Sequence, residues 1–126
     1  MANIAIVDDD PDIVDAVRLF LEKEGHQVSS AGSRPDGMAL VQGGGIDLLI
    51  LDIMMTEPDD GIAMAQDLRK AGFAKPILMM SSISKVTGMS YGKDEAVTPV
   101  DDFVEKPVAP QLLLEKVAAL LKKGGA

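Results

Sequence analysis

The side chains with chemical potential in this chain fall into four short groups: Asp8-Asp9, Asp52, Ser81-Ser82 and Lys106-Pro107. Three carboxylates brought within a few ångströms repel one another, and a divalent cation is the natural remedy. All-oxygen ligands with positions open to water suit Mg²⁺ or Mn²⁺ rather than zinc. A lysine and a hydroxyl opposite the metal would suit a phosphoryl group, neutralising and hydrogen-bonding its oxygens. One of the three carboxylates could then be the nucleophile and carry an aspartyl phosphate. Each group alone has a plainer meaning. An acidic run before a helix is commonly a cap, as Asp10 and Asp12 are expected to be; an Asp ending a strand is a common turn former; Lys-Pro and Ser-Ser say little by themselves. The chemistry requires that all four groups meet.

The elements around them make that meeting plausible. Five short apolar runs recur, at Ile4–Val7, Gln27–Ala31, Asp47–Leu51, Pro76–Met80 and Asp102–Glu105. Three of them contain continuous apolar residues, the pattern of strands buried on both faces. Helical patterns lie between. In Pro11–Glu24, Ile13, Val14, Val17, Phe20 and Leu21 share one face, Asp10 suits the N-cap, Pro11 the first helical position and Gly25 a left-handed exit. Gly61–Ala71 puts Ile62, Ala65 and Leu68 on one stripe and stops at Gly72. Pro110–Lys123 turns Leu113, Val117, Leu120 and Leu121 inward and ends in lysines, which suits the helix dipole. The pattern at Arg34–Gln42 is weakened by Pro35 and Gly37. Ser81–Pro99 should hold a further helix, but Gly88, Gly92 and Pro99 interrupt it, and an irregular or degenerate fourth helix is expected.

Strand and helix in alternation predict parallel strands joined by right-handed crossovers. With strand order 2-1-3-4-5, the four strands that end in the reactive groups are contiguous. Functional groups in open parallel sheets gather at the carboxyl ends of the strands, so one crevice is expected to hold Asp8, Asp9, Asp52, Ser81 and Lys106.

Composition limits what else the chain can be. Its 126 residues read as one domain, 1–126, with no repeat or linker. With no cysteine, disulfides and thiolate metal sites are excluded. A net charge of −8, from 20 acidic and 12 basic residues, argues against direct contact with nucleic acid or an anionic membrane. No signal peptide is expected, and no apolar run approaches the ~20 residues needed to cross a bilayer. A cytoplasmic protein is expected.

The stretches Ile4-Ala-Ile-Val-Asp-Asp-Asp-Pro-Asp-Ile13, Leu48-Leu-Ile-Leu-Asp-Ile-Met-Met55, Pro76-Ile-Leu-Met-Met-Ser81 and Phe103-Val-Glu-Lys-Pro107 resemble the receiver domains of two-component response regulators. The resemblance covers essentially the whole chain. It implies a flavodoxin-like α/β fold and a stand-alone phosphoacceptor, not an enzyme, that takes phosphate on Asp52 from a histidine kinase or histidine phosphotransfer protein. It implies that Asp8, Asp9, Asp52 and the Met54 carbonyl hold Mg²⁺ or Mn²⁺, that Lys106 pairs with the phosphoryl group, and that Ser81 moves to hydrogen-bond it. Phe103 takes the place of the switch aromatic, and the Lys106–Pro107 bond would be cis. Output would pass to an unidentified downstream protein or through a phosphorylation-dependent homodimer.

The chain departs from the family's pattern in three places. Thr56-Glu57-Pro58-Asp59-Asp60-Gly61 carries one residue more than usual after the acceptor. The span from Ser81 to Lys106 is a few residues long, on a face that relatives use for output. Met54 and Ile83 stand where many relatives have polar side chains that orient a hydrolytic water, so self-dephosphorylation should be slow. Two alternatives remain. A haloacid-dehalogenase-type phosphatase would use Asp8 as nucleophile, Ser81 as its hydroxyl and Asp101-Asp102 as its acidic pair. A phosphate-independent scaffold would keep the fold without the chemistry.

Overall fold

The computed structural model describes residues 2–52, 60–81, 100–105 and 109–125. The strands are β1 (Asn3–Val7), β2 (Gln27–Ala31), β3 (Leu48–Asp52), β4 (Ile77–Ser81) and β5 (Asp102–Glu105). Among the described residues the helices are α1 (Pro11–Lys23), α2 (Arg34–Gln42), α3 (Asp60–Lys70) and α4 (Pro110–Gly125). All strand pairs are parallel and the order is β2-β1-β3-β4-β5, as the alternation predicts. The irregular stretch expected at Ser81–Pro99 lies, from residue 82 onward, outside the described residues.

Continuous apolar strands are explained by burial on both faces. Along β1, Ile4 and Ile6 face α1 and α4, whereas Ala5 and Val7 face α2 and α3. Leu48 and Ile50 of β3, and Leu78 and Met80 of β4, join the first layer; Leu49, Leu51, Ile77 and Met79 join the second. Every one of these side chains is fully buried, and each except Ala5 contributes about 1.5–3 kcal/mol relative to exposure. Val14, Val17 and Leu21 of α1 and Leu113, Val117 and Leu120 of α4 close one face; Met64, Ala65 and Leu68 of α3 close the other.

The helix ends follow local chemistry. Asp10 accepts a hydrogen bond from the Asp12 amide at 2.9 Å and caps α1, and Gly25 leaves it at φ 90°. Ser33 caps α2 by accepting from the Asp36 amide at 3.3 Å. The two residues that weaken the α2 pattern are accommodated separately. Pro35 lies in the first turn, where its missing N–H goes unused. Gly37 is buried against Val7, in a space that a Cβ could enter only by displacing its neighbours.

Several boundaries differ from the sequence expectation. Asp52 is the last residue of β3 rather than the first after it, because it pairs with Met80; Ser81 likewise ends β4, paired with Glu105. Glu24 caps α1 instead of extending it, and α4 continues two residues past Lys123. No helix among the described residues is long and apolar enough to cross a membrane.

Candidate functional site

Sheet register brings the acidic groups together. Val7 pairs with Leu51 across β1 and β3, so continuing the register by one residue sets Asp8 beside Asp52. Both have the parity of the residues facing α1 and α4, so they lie on the same side of the sheet. Asp9 follows at the mouth of the α1 turn. Carboxylate oxygens of Asp8, Asp9 and Asp52 lie within 4.8 Å of one another. Asp8 is 1% exposed and Asp52 4%, while Asp9 is exposed.

The backbone holds Asp8 from two directions. Its amide donates to the Ala31 carbonyl at 3.1 Å, tying it to the end of β2. Its Oδ1 accepts from the Asp10 amide at 2.9 Å, while the Asp10 side chain caps α1. The Asp-x-Asp spacing thus builds consecutive turns in which one carboxylate is oriented and the next anchors a helix. That orienting bond was not foreseen; the spacing of Asp8, Asp10 and Asp12 was its only trace in the sequence.

Two buried carboxylates beside a third demand a positive partner. Unit charges 4 Å apart repel by about 4 kcal/mol at an effective dielectric near 20. Three oxygen donors, two from strand ends and one from an exposed turn, fit a hard divalent cation with water on its open side.

Of the other expected site residues, Met54, Lys106 and Pro107 lie outside the described residues, as does Ile83. Ser81 is described through its backbone as the end of β4, in register with Glu105, which directly precedes Lys106 in the chain. Phe103 sits in the middle of β5, paired with Met79 and half-buried on the α2–α3 side of the sheet.

Asp101 and Asp102 stand elsewhere. They lie at the start of β5, at the opposite end of the sheet from Asp8 and Asp52. Asp101 accepts from the Ile77 amide at 2.9 Å and from Arg69 at 3.0 Å; Lys116 donates to Asp102 at 3.0 Å. The Asp101 amide also donates to the Ile77 carbonyl at 2.9 Å. A phosphatase centred on Asp8 therefore loses its acidic pair. At that same far end, a cavity of about 390 Å³ lined by Val41, Gln42, Leu68, Ala71, Gly72 and Phe73 has no charged side chain in its wall.

The geometry finds its counterpart among known proteins. A family profile described as the response regulator receiver domain matches residues 4–118. The regulatory protein VanRc of Enterococcus gallinarum is 34% identical over 126 residues, covering 96% of this chain and 50% of its own length. The DNA-binding dual master transcriptional regulator RpaA of Synechocystis is 34% identical over 125 residues, covering 98% of this chain and 50% of its own. The chain thus spans about half the length of the curated relatives it matches. Among solved structures, chemotaxis protein CheY4 of Vibrio cholerae superposes with a TM-score of 0.82 at 27% identity, over 95% of this chain and 98% of that one. Response regulator TrrA of Thermotoga maritima, solved in complex with Mg²⁺ and BeF, superposes with a TM-score of 0.80 at 28% identity, over 95% and 99%.

Proposed function

The chain belongs to the response regulator receiver family, and from that premise we propose that Asp52 accepts a phosphoryl group from a phosphohistidine donor. The observation that carries the proposal is the meeting of the Asp8, Asp9 and Asp52 carboxylates within 4.8 Å at the ends of adjacent strands.

Asp52 supplies the attacking oxygen. A carboxylate Oδ forms a bond to phosphorus as the donor's P–N bond breaks, and the imidazole leaves with its electron pair. Asp8 and Asp9 would hold Mg²⁺ or Mn²⁺ with Asp52 and the Met54 carbonyl; the cation supplies charge neutralisation for an anionic nucleophile meeting an anionic donor. Lys106 serves as the second positive charge on the transferred group, and Ser81 as a hydrogen-bond donor to it. The register of Ser81 with Glu105 supports this pairing of roles, since Lys106 comes next in sequence. The complex of TrrA with Mg²⁺ and BeF supports the same cation for this chain.

Phosphorylation takes Asp52 from about one negative charge to about two. Ser81 and Phe103 respond, biasing an equilibrium between two shapes of the α2–α3 side and the β5 edge. The donor is a histidine kinase or histidine phosphotransfer protein of the cytoplasm, and the output is a downstream protein or a homodimer. With Met54 and Ile83 apolar, the phosphoryl group is retained for longer than in relatives bearing polar residues there.

The test is intact-mass measurement after incubation with acetyl phosphate and Mg²⁺. One added phosphate is expected, absent in Asp52→Asn and absent in excess EDTA. A wild-type chain that gains no phosphate would mark a phosphate-independent scaffold.

A further inference from the structure

Gly37 lies in α2 with no call on glycine's backbone freedom, since its φ is not among the positive ones. What it lacks is a side chain, in a place where one would not fit. A Cβ at Gly37 would stand 2.8 Å from Val7 Cγ1, 2.9 Å from Val7 Cγ2 and 2.9 Å from Met64 Cε.

These neighbours differ in what they can yield. The Met64 methyl is the end of a flexible chain and can swing aside. Val7 is β-branched, fully buried and locked in β1 between β2 and β3. Relief must therefore come from a shift between α2 and the end of β1. Arg34, in the first turn of α2, is ion-paired to Asp67 of α3, which resists withdrawal of the helix. The next residue after Val7 is Asp8, and the loop entering α2 also borders it: a Cβ placed on Gly32 would stand 4.0 Å from the Asp8 carbonyl oxygen.

We propose that Gly37 is a positioning residue for the cation site: its missing side chain sets how deeply α2 seats on β1, and so where the Asp8 carboxylate stands relative to Asp52. This rests on the reading of the acidic cluster as a Mg²⁺ site. Gly37 touches neither cation nor phosphoryl group; it acts through Val7.

The experiment is calorimetric titration of Mg²⁺ into the wild-type chain, Gly37→Ala, Val7→Ala and the double variant, with hydrogen exchange of the Asp8 amide followed in each. Gly37→Ala is expected to bind Mg²⁺ about 10-fold more weakly, the scale of a lost supporting contact behind a metal ligand. Its Asp8 amide, bonded to Ala31, should exchange faster. Val7→Ala removes both clashing methyls, so the double variant should recover wild-type affinity. If Gly37→Ala does not fold, Val7→Ile adds a methyl to the same gap from the strand side and is expected to weaken Mg²⁺ binding likewise. Wild-type affinity in a folded Gly37→Ala, or in Val7→Ile, overturns the proposal while leaving the metal site intact. A wild-type chain that binds no Mg²⁺ overturns the metal reading and this proposal together.

Discussion

The repulsion within the acidic cluster gives each carboxylate opposite effects with and without a cation. Asp9 is exposed and Asp8 and Asp52 are not, so Asp9→Asn removes charge with the least disturbance of packing. The metal-free variant should be more stable than wild type by up to about 1 kcal/mol, the size of one pair interaction well screened by water. With the acidic cluster as the proposed cation site, millimolar Mg²⁺ is expected to stabilise wild type and to stabilise the variant less. Urea unfolding with EDTA and with Mg²⁺ measures both effects, and a variant less stable than wild type in EDTA would contradict the repulsive account. Asp8, Asp9 and Asp52 could be picked out from sequence because parallel strands deliver their last residues to one edge of the sheet. What spacing could not reveal was the bond from the Asp10 amide that orients Asp8, which depends on the conformation of a turn. Gly37 was legible only as a weak point in a helix, because the reason for it is a contact with a strand thirty residues away in the chain.

At the scale of elements, Arg69 ties together several of the described segments at the far end of the sheet. It donates to the Phe73 and Lys75 carbonyls at 2.8 and 2.7 Å, lies 5.8 Å from the Phe73 ring centroid, and pairs with Asp101. One side chain thus joins the end of α3, the approach to β4 and the foot of β5. Arg69→Ala should destabilise the fold by about 1–3 kcal/mol, since it strips hydrogen bonds from partly buried groups. The loss should appear in the urea midpoint with phosphate uptake at Asp52 preserved under native conditions. Loss of uptake with unchanged stability would assign Arg69 a different role. Sequence periodicity located α1, α2, α3 and α4 to within a residue or two because each has an apolar stripe or firm caps. It could not see Arg69, whose partners are carbonyls and a distant carboxylate.

For the molecule as a whole, the order β2-β1-β3-β4-β5 was legible because alternating elements and right-handed crossovers leave few other arrangements. Stability should carry a signature of the single histidine. His26 Nδ1 accepts from the Ala2 amide at 3.1 Å, and only the neutral ring can do so. Burial, with help from the positive amino terminus and against Glu24, holds its pKa below the usual value near 6.5. A depressed pKa means that protons bind the unfolded chain more readily. The contribution of His26 is therefore fully present above pH 6.5 and is lost as pH falls through the folded value. The decline in urea midpoint between pH 7 and pH 5 should be shallower in His26→Gln, and an unchanged slope would assign the decline to the carboxylates. The clasp of Asp101 on Ile77 bears on signalling too. A strand tethered at its base resists sliding as a unit, so a displacement passed from Ser81 to Glu105, as proposed above, would be taken up as a hinge-like swing of the upper part. Phe103, midway along, would register that swing as a turn, which converts an event at one rim of the sheet into altered shape on its flank.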